Sequence, residues 1–81
     1  MLVFSMSERL TPLSCSKIEK KLLKLGFKHD RTDDAIRFYS RIVGGRYHLV
    51  QIHFHPGDKG IEVVRSILRT GGIDRSDWVK A

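Results

Sequence analysis

Two of the four histidines in this 81-residue chain are suited to acid–base chemistry. His53 and His55 are separated by one residue in a strand-like segment, so their imidazoles point to the same side. Imidazole titrates near neutral pH and can both accept and donate a proton. A His-x-His pair can also contribute to a metal site, but no cysteine or carboxylate stands at a spacing that would complete one. The sequence therefore predicts no metal and no other cofactor.

A basic stripe is the second feature with chemical potential. Four lysines recur at helical spacing, namely Lys17, Lys20, Lys21 and Lys24. The chain has fifteen Lys and Arg against nine Asp and Glu, a net charge of +6, which favours polyanionic partners through counterion release. The stripe predicts contact with RNA phosphates, although a merely solvated helix face has the same pattern. Two pairs of arginines are expected to add phosphate contacts: Arg37 with Arg41, and Arg65 with Arg69.

The elements that position these residues can be predicted from periodicity and turn signals. The first helix runs to about Leu25, begins at Ser14 or Ser16, and has a capping box between Ser16 and Glu19. Three strands follow, over Phe27–Arg31, Ile36–Val43 and Arg46–His55, the last two joined by a Gly44-Gly45 turn. A second helix has an inward face of Ile61, Val64, Ile67 and Leu68, and a last helical turn carries Trp78.

The order α-β-β-β-α predicts a single α+β domain with a three-stranded antiparallel sheet and the helices on one face, the layout of double-stranded-RNA-binding domains. We assign residues 13–81 to this domain and residues 1–12 to a flexible tail. A chain of this length has material for one hydrophobic core only.

The hairpin register follows from the glycine pair. If Gly44-Gly45 is a two-residue turn, Val43 lies opposite Arg46 and Ile36 lies opposite His53. The helices can cover only one sheet face, so the apolar residues of the other face would remain as a patch. This patch predicts a homodimer or a protein partner and consists of Ile36, Phe38, Tyr47 and Leu49.

Three segments carry a resemblance to a known family. They are Leu22–Phe27, His53–Gly57 and Val64–Ile73, and their order and spacing resemble those of the HicA/YcfA-like mRNA interferase toxins. The resemblance covers roughly four fifths of the chain, from Ser14 to Trp78. It implies a fold like that of double-stranded-RNA-binding domains, cleavage of mRNA, and a cognate antitoxin protein as partner.

One position departs from the family pattern. The catalytic histidine of the family precedes an aromatic residue by three positions, and aligning that aromatic with Tyr39 places Ile36 at the catalytic position. Isoleucine cannot transfer a proton. The first interpretation is an RNA-binding HicA-like domain of a toxin–antitoxin system with lost or weak interferase activity. The second is an active, metal-independent mRNA endoribonuclease that uses His53 or another histidine. The third is a non-catalytic protein-interaction module.

The single cysteine, Cys15, cannot form an internal disulfide, which favours a reducing cytoplasm. The apolar start, Met1–Met6, is too short for a signal-peptide core, and no segment is long enough to span a membrane. We therefore expect a cytoplasmic protein. Either Met1 or Met6 is compatible with the natural start of the chain.

Overall fold

The computed structural model describes residues 10–81, which form three helices and five strands. In chain order they are β1 (Leu13–Ser14), α1 (Cys15–Lys24), β2 (Lys28–Asp33), β3 (Ile36–Val43), β4 (Arg46–His53), β5 (Asp58–Lys59), α2 (Ile61–Gly71) and α3 (Arg75–Lys80). Strands β2, β3 and β4 form an antiparallel sheet in that spatial order, and β1 pairs with β5 separately. The predicted α+β class and three-stranded sheet are confirmed.

Helix α1 begins with a capped turn. The hydroxyl of Ser14 accepts the Lys17 N–H at 3.3 Å, which satisfies one of the free donors of the first turn. The helix ends where Gly26 adopts φ 95°, a value that side-chain-bearing residues rarely adopt. The predicted capping box between Ser16 and Glu19 is wrong: Ser14 is the cap, and the Glu19 carboxylate is bonded to β3 instead.

The β3–β4 hairpin has the predicted register. Val43 lies opposite Arg46, and Ile36 lies opposite His53. The turn residues Gly44 and Gly45 have φ values of 57° and 79°. A two-residue type I′ hairpin turn requires positive φ at both central residues. The alternation of side chains along both strands is thereby fixed for the whole hairpin.

One face of the sheet carries the core. Tyr39, Val50 and Ile52 are buried there against the apolar faces of both long helices and against Trp78 of α3. The helix residues in this cluster are Ile18 and Leu22 of α1, and Val64, Ile67 and Leu68 of α2. Ile61 was predicted to face inward as well, but it lies at the first turn of α2 and is exposed. Both long helices therefore pack on one face of the sheet.

The N-terminal boundary of the domain was predicted too late in the chain. Leu10 is buried in the core cluster, so at least this residue of the predicted tail belongs to the folded domain. The short β1–β5 ladder, which pairs Leu13 with Lys59, holds the entry to α1 beside the entry to α2. Residues 1–9 of the predicted tail lie outside the described residues. Among residues 10–81, no helix is long and apolar enough to cross a membrane.

Candidate nucleic-acid interface

An imidazole lies beside Ile36, the position at which the family resemblance predicts a catalytic histidine. Ile36 is half-buried at the start of β3, and His53 lies directly opposite it at the end of β4 with an exposed side chain. Paired residues of this kind have Cβ atoms about 5 Å apart. An imidazole is therefore available next to position 36, on the sheet face that the helices do not cover.

The neighbouring His55 has both ring nitrogens engaged. Its Nδ1 lies 2.7 Å from the Pro56 carbonyl oxygen, and its Nε2 lies 2.9 Å from Nζ of Lys59. A carbonyl oxygen can only accept, so Nδ1 carries the proton and Nε2 accepts from the lysine. Lys59 itself is buried. This arrangement fixes His55 as a structural acceptor and leaves His53 as the better candidate for proton transfer.

The two remaining histidines are also in structural contacts. His29 is bonded to Thr32 at 2.8 Å, within β2. His48 packs so closely on Gly72 that a Cβ there would lie 2.6 Å from Cε1 of His48. Among residues 10–81, no three His, Cys, Asp or Glu side chains form a group that could hold a metal ion.

Arg37, predicted to contact phosphate, is bound within the domain. Its guanidinium donates to Oε2 of Glu19 at 3.1 Å and lies 4.0 Å from the centre of the Phe54 ring. The Tyr39 hydroxyl donates to the same Glu19 oxygen at 2.6 Å. Arg37 therefore supports the contact between β3 and α1, and it is only partly available to a ligand.

Arg41 joins the ends of two helices. It donates from Nη1 to the Leu25 carbonyl at 2.8 Å and from Nη2 to the Gly72 carbonyl at 3.3 Å. Those carbonyls follow the last turns of α1 and α2, where free acceptors and the negative end of the helix dipole favour a cation. The guanidinium also stacks over Phe27 at 4.6 Å. Arg41, predicted to contact phosphate, therefore caps both helices and is only partly available to a ligand.

Lys21 differs from the other three lysines of α1. Its Nζ donates to the Trp78 carbonyl at 3.0 Å and lies 5.6 Å from the centre of the Trp78 ring. Burial, and secondarily repulsion from Lys24, lowers the pKa of Lys21. Lys21 therefore ties α1 to α3 and is a weak candidate for RNA contact.

The other predicted basic residues are exposed on the helices. Lys17, Lys20 and Lys24 extend over about 10 Å along α1, given a rise of about 1.5 Å per residue. Together with Lys21 they border an open hollow of about 370 Å³ beside Leu23 and Ala81. Within the described part of the chain, none of these three lysines has a side-chain hydrogen bond or an ion pair. Their charges are available to an anionic ligand.

A second basic group lies on α2 and α3. Arg65 and Arg69 are exposed on α2, as predicted. Arg65 borders a hollow of about 360 Å³ with Leu10, Ile61 and Arg75. Sequence reasoning missed Arg75, because a single arginine in a short terminal helix has no periodic partner that would single it out.

The predicted apolar patch is smaller than expected. Phe38 is only 8% exposed, because the Arg31 guanidinium lies 4.2 Å from the centre of its ring. Ile36 is half-buried, whereas Tyr47 and Leu49 are exposed. Ile42 on the same face is 70% exposed and belongs to the patch as well. The exposed apolar surface is therefore centred on Ile42, Tyr47 and Leu49, and Phe38 is removed from it.

Comparison of the chain with protein-family models, with curated proteins and with solved structures gave no match.

Proposed function

We propose that the chain is an RNA-binding domain whose main contact surface is the basic stripe of α1. The observation that carries this proposal is the exposure of Lys17, Lys20 and Lys24 along one stripe. None of the three has an internal partner among residues 10–81, on a chain with a net charge of +6. Exposed lysines without an internal partner can bind RNA phosphates, and this binding releases the counterions condensed on the RNA. Arg65 and Arg75, which border one hollow, would extend the contact along α2 and α3.

The RNA is proposed to be double-stranded or otherwise structured. Two long helices on one face of a three-stranded antiparallel sheet are compatible with the layout of a double-stranded-RNA-binding domain, and this compatibility supports the proposal. Such domains bind mainly by shape and by contacts to phosphates and 2′-hydroxyls, which lysine side chains can make without reading a base sequence. Binding with little sequence preference is therefore expected.

We further propose kinship to the HicA-like toxins, with weak or absent cleavage and an antitoxin-like protein partner. The resemblance aligns Ile36 with the family's catalytic histidine, and the engagement of His55 with Lys59 leaves His53, opposite Ile36, as the candidate for proton transfer. Without an imidazole at position 36, His53 would have to serve as both base and acid for metal-independent cleavage, which favours weak activity. A reducing cytoplasm remains the proposed location, given one thiol, Cys15, that is buried and free.

Two other functions remain as rivals. An active interferase would rely on His53, which lies beside position 36. A protein-interaction module would use the exposed residues Ile42, Tyr47 and Leu49, with the basic charge incidental.

The test is a titration of a structured RNA with the purified protein at increasing salt. The RNA-binding proposal predicts that the logarithm of the binding constant falls linearly with the logarithm of the salt concentration, by about one unit for each phosphate contacted. Absence of binding at low salt, or a slope near zero, would favour the interaction module instead. Release of shorter RNA products that depends on His53 would favour the interferase.

A further inference from the structure

The two edges of the three-stranded sheet are protected to different degrees. β2, at one edge, contains only polar and charged residues and is irregular between His29 and Arg31. Charged side chains and bulges are the features that prevent an edge strand from pairing with another chain. β4, at the other edge, has neither a bulge in its pairing with β3 nor a proline or lysine. β4 is therefore the edge suited to further pairing.

The hydrogen-bond pattern shows which groups of β4 are free. The Phe54 N–H donates to the Ala35 carbonyl at 2.8 Å, and hydrogen-bonded positions alternate along an antiparallel pair. Alternate residues from Arg46 to Ile52 consequently bond to β3. Tyr47, Leu49 and Gln51 direct their N–H and C=O groups away from β3, and in the described sheet no strand lies beyond β4. These three residues present a regular row of donors and acceptors.

A groove runs along this edge, between β4 and α2. It has a volume of about 420 Å³, and its walls are formed by Leu49 and Gln51 of β4 and by Glu62, Val63, Ser66, Ile67 and Thr70 of α2. None of these seven residues is a lysine or an arginine, although the chain has fifteen. The groove is thus a poor site for RNA. It is also a place where two copies of this basic chain can approach without strong repulsion.

We propose that β4 pairs antiparallel with β4 of a second copy, about a two-fold axis beside Leu49, to form a continuous six-stranded sheet. In this register Leu49 lies opposite Leu49 of the second copy, and Tyr47 lies opposite Gln51 of the second copy. The free N–H and C=O groups of Tyr47, Leu49 and Gln51 are then satisfied in both copies.

Charge on α2 is complementary under the same symmetry. A two-fold axis at β4 makes the two α2 helices antiparallel, so the N-terminal turn of one, with Glu62, faces the C-terminal turn of the other, with Arg69. The contact is repeated by symmetry. Each copy thus offers both an acidic and a basic group, in positions that suit an identical partner. A polyanion could pair only with the basic group, and a basic peptide only with the acidic group.

This interface differs from a dimer stacked through the sheet face. A stacked dimer would bury Ile42, which lies on the central strand β3, whereas the edge-paired dimer leaves Ile42 exposed. Gln51→Pro tests the edge directly. Proline removes a backbone N–H that points away from β3, so the ladder within one copy is retained.

The experiment is sedimentation equilibrium combined with amide hydrogen exchange. We expect the wild-type chain to dimerise, Gln51→Pro to weaken the dimer at least about tenfold, and the control Ile42→Lys to dimerise like the wild type. In the wild type, the amides of Tyr47, Leu49 and Gln51 should become protected as protein concentration rises. The amides of His48 and Val50, which bond to β3, should be protected at every concentration.

Three results would overturn the edge-paired dimer. The first is a wild-type chain that stays monomeric up to about 1 mM, the limit of weak association. The second is a dimer in which the amides of Leu49 and Gln51 remain unprotected. The third is a dimer lost in Ile42→Lys but kept in Gln51→Pro, which would indicate stacking through the sheet face. If circular dichroism shows that Gln51→Pro is unfolded, the amide exchange of the wild type alone tests whether β4 forms the interface.

Discussion

The hydroxyl of Tyr39 on β3 donates a 2.6 Å hydrogen bond to the carboxylate of Glu19 on α1, from a side chain that is buried in the core. Burial first, and then this hydrogen bond, raises the pKa of Tyr39. Arg37 donates to the same carboxylate oxygen at 3.1 Å and supplies its counter-charge. The three side chains form a polar link between β3 and α1.

Removing the Tyr39 hydroxyl should destabilise the domain. Tyr39→Phe keeps the buried ring but loses a hydrogen bond to a charged acceptor, and such bonds contribute about 1.5–3 kcal/mol. The free energy of unfolding, measured in urea, should fall by about that amount. Tyr47→Phe is the matched control, because Tyr47 is 61% exposed. If the two variants are equally stable, the Tyr39–Glu19 bond has no net effect.

The same tyrosine predicts a loss of stability at alkaline pH. An unfolded tyrosine releases its proton near pH 10, whereas the folded Tyr39 retains it because its pKa is raised. The stabilisation that the protonated Tyr39 hydroxyl gives the folded state is therefore complete below about pH 10 and is lost as pH rises above that value. The lowered pKa of Lys21 acts in the opposite sense. The difference in unfolding free energy between wild type and Tyr39→Phe isolates the tyrosine, and it should shrink above pH 10; a constant difference would contradict the assignment.

Arg41 should matter for stability and not for RNA. Arg41→Lys keeps the charge but cannot reach the Leu25 and Gly72 carbonyls together, so the unfolding free energy should fall by about 1–2 kcal/mol. Its RNA affinity and salt slope should equal those of the wild type. Arg46→Lys, at an exposed position of β4, is the control for stability. A large loss of RNA affinity in folded Arg41→Lys would return this residue to the interface.

The hairpin and the helices could be predicted from the sequence because local signals determine them. The glycine pair fixes the turn, strand alternation fixes the faces, and the opposition of Ile36 and His53 follows from both. The roles of the basic residues could not be predicted in this way. Periodicity locates Lys21 and Arg41 but not the carbonyls that their long side chains reach across the fold. The burial of Leu10 likewise depends on a long-range contact that leaves no local pattern.

The proposed kinship to the HicA-like toxins can be tested by placing a histidine at position 36. The wild-type chain should cleave mRNA feebly or not at all, because Ile36 cannot transfer a proton. Ile36→His would place two imidazoles on opposed strands, and paired acid and base groups of this kind each accelerate cleavage by about 10²- to 10⁴-fold. The gain should disappear on adding His53→Ala, and Ile42→His, on the same face of β3, should show none.

Two outcomes would contradict this account of the site. Robust cleavage by the wild type that disappears in His53→Ala would make the chain an active interferase. A folded Ile36→His variant that binds RNA and remains inert would show that more of the active site is absent than one side chain.

The most direct test of the central claim is the salt dependence of RNA binding by Lys20→Ala/Lys24→Ala. This double variant removes two exposed charges from α1, and its slope should be smaller than that of the wild type by roughly one unit per lost phosphate contact. The control Lys28→Ala/Arg46→Ala removes the same charge from exposed positions of the sheet and should keep the wild-type slope. A slope unchanged in the α1 variant, or reduced equally in both, would contradict an RNA interface on α1.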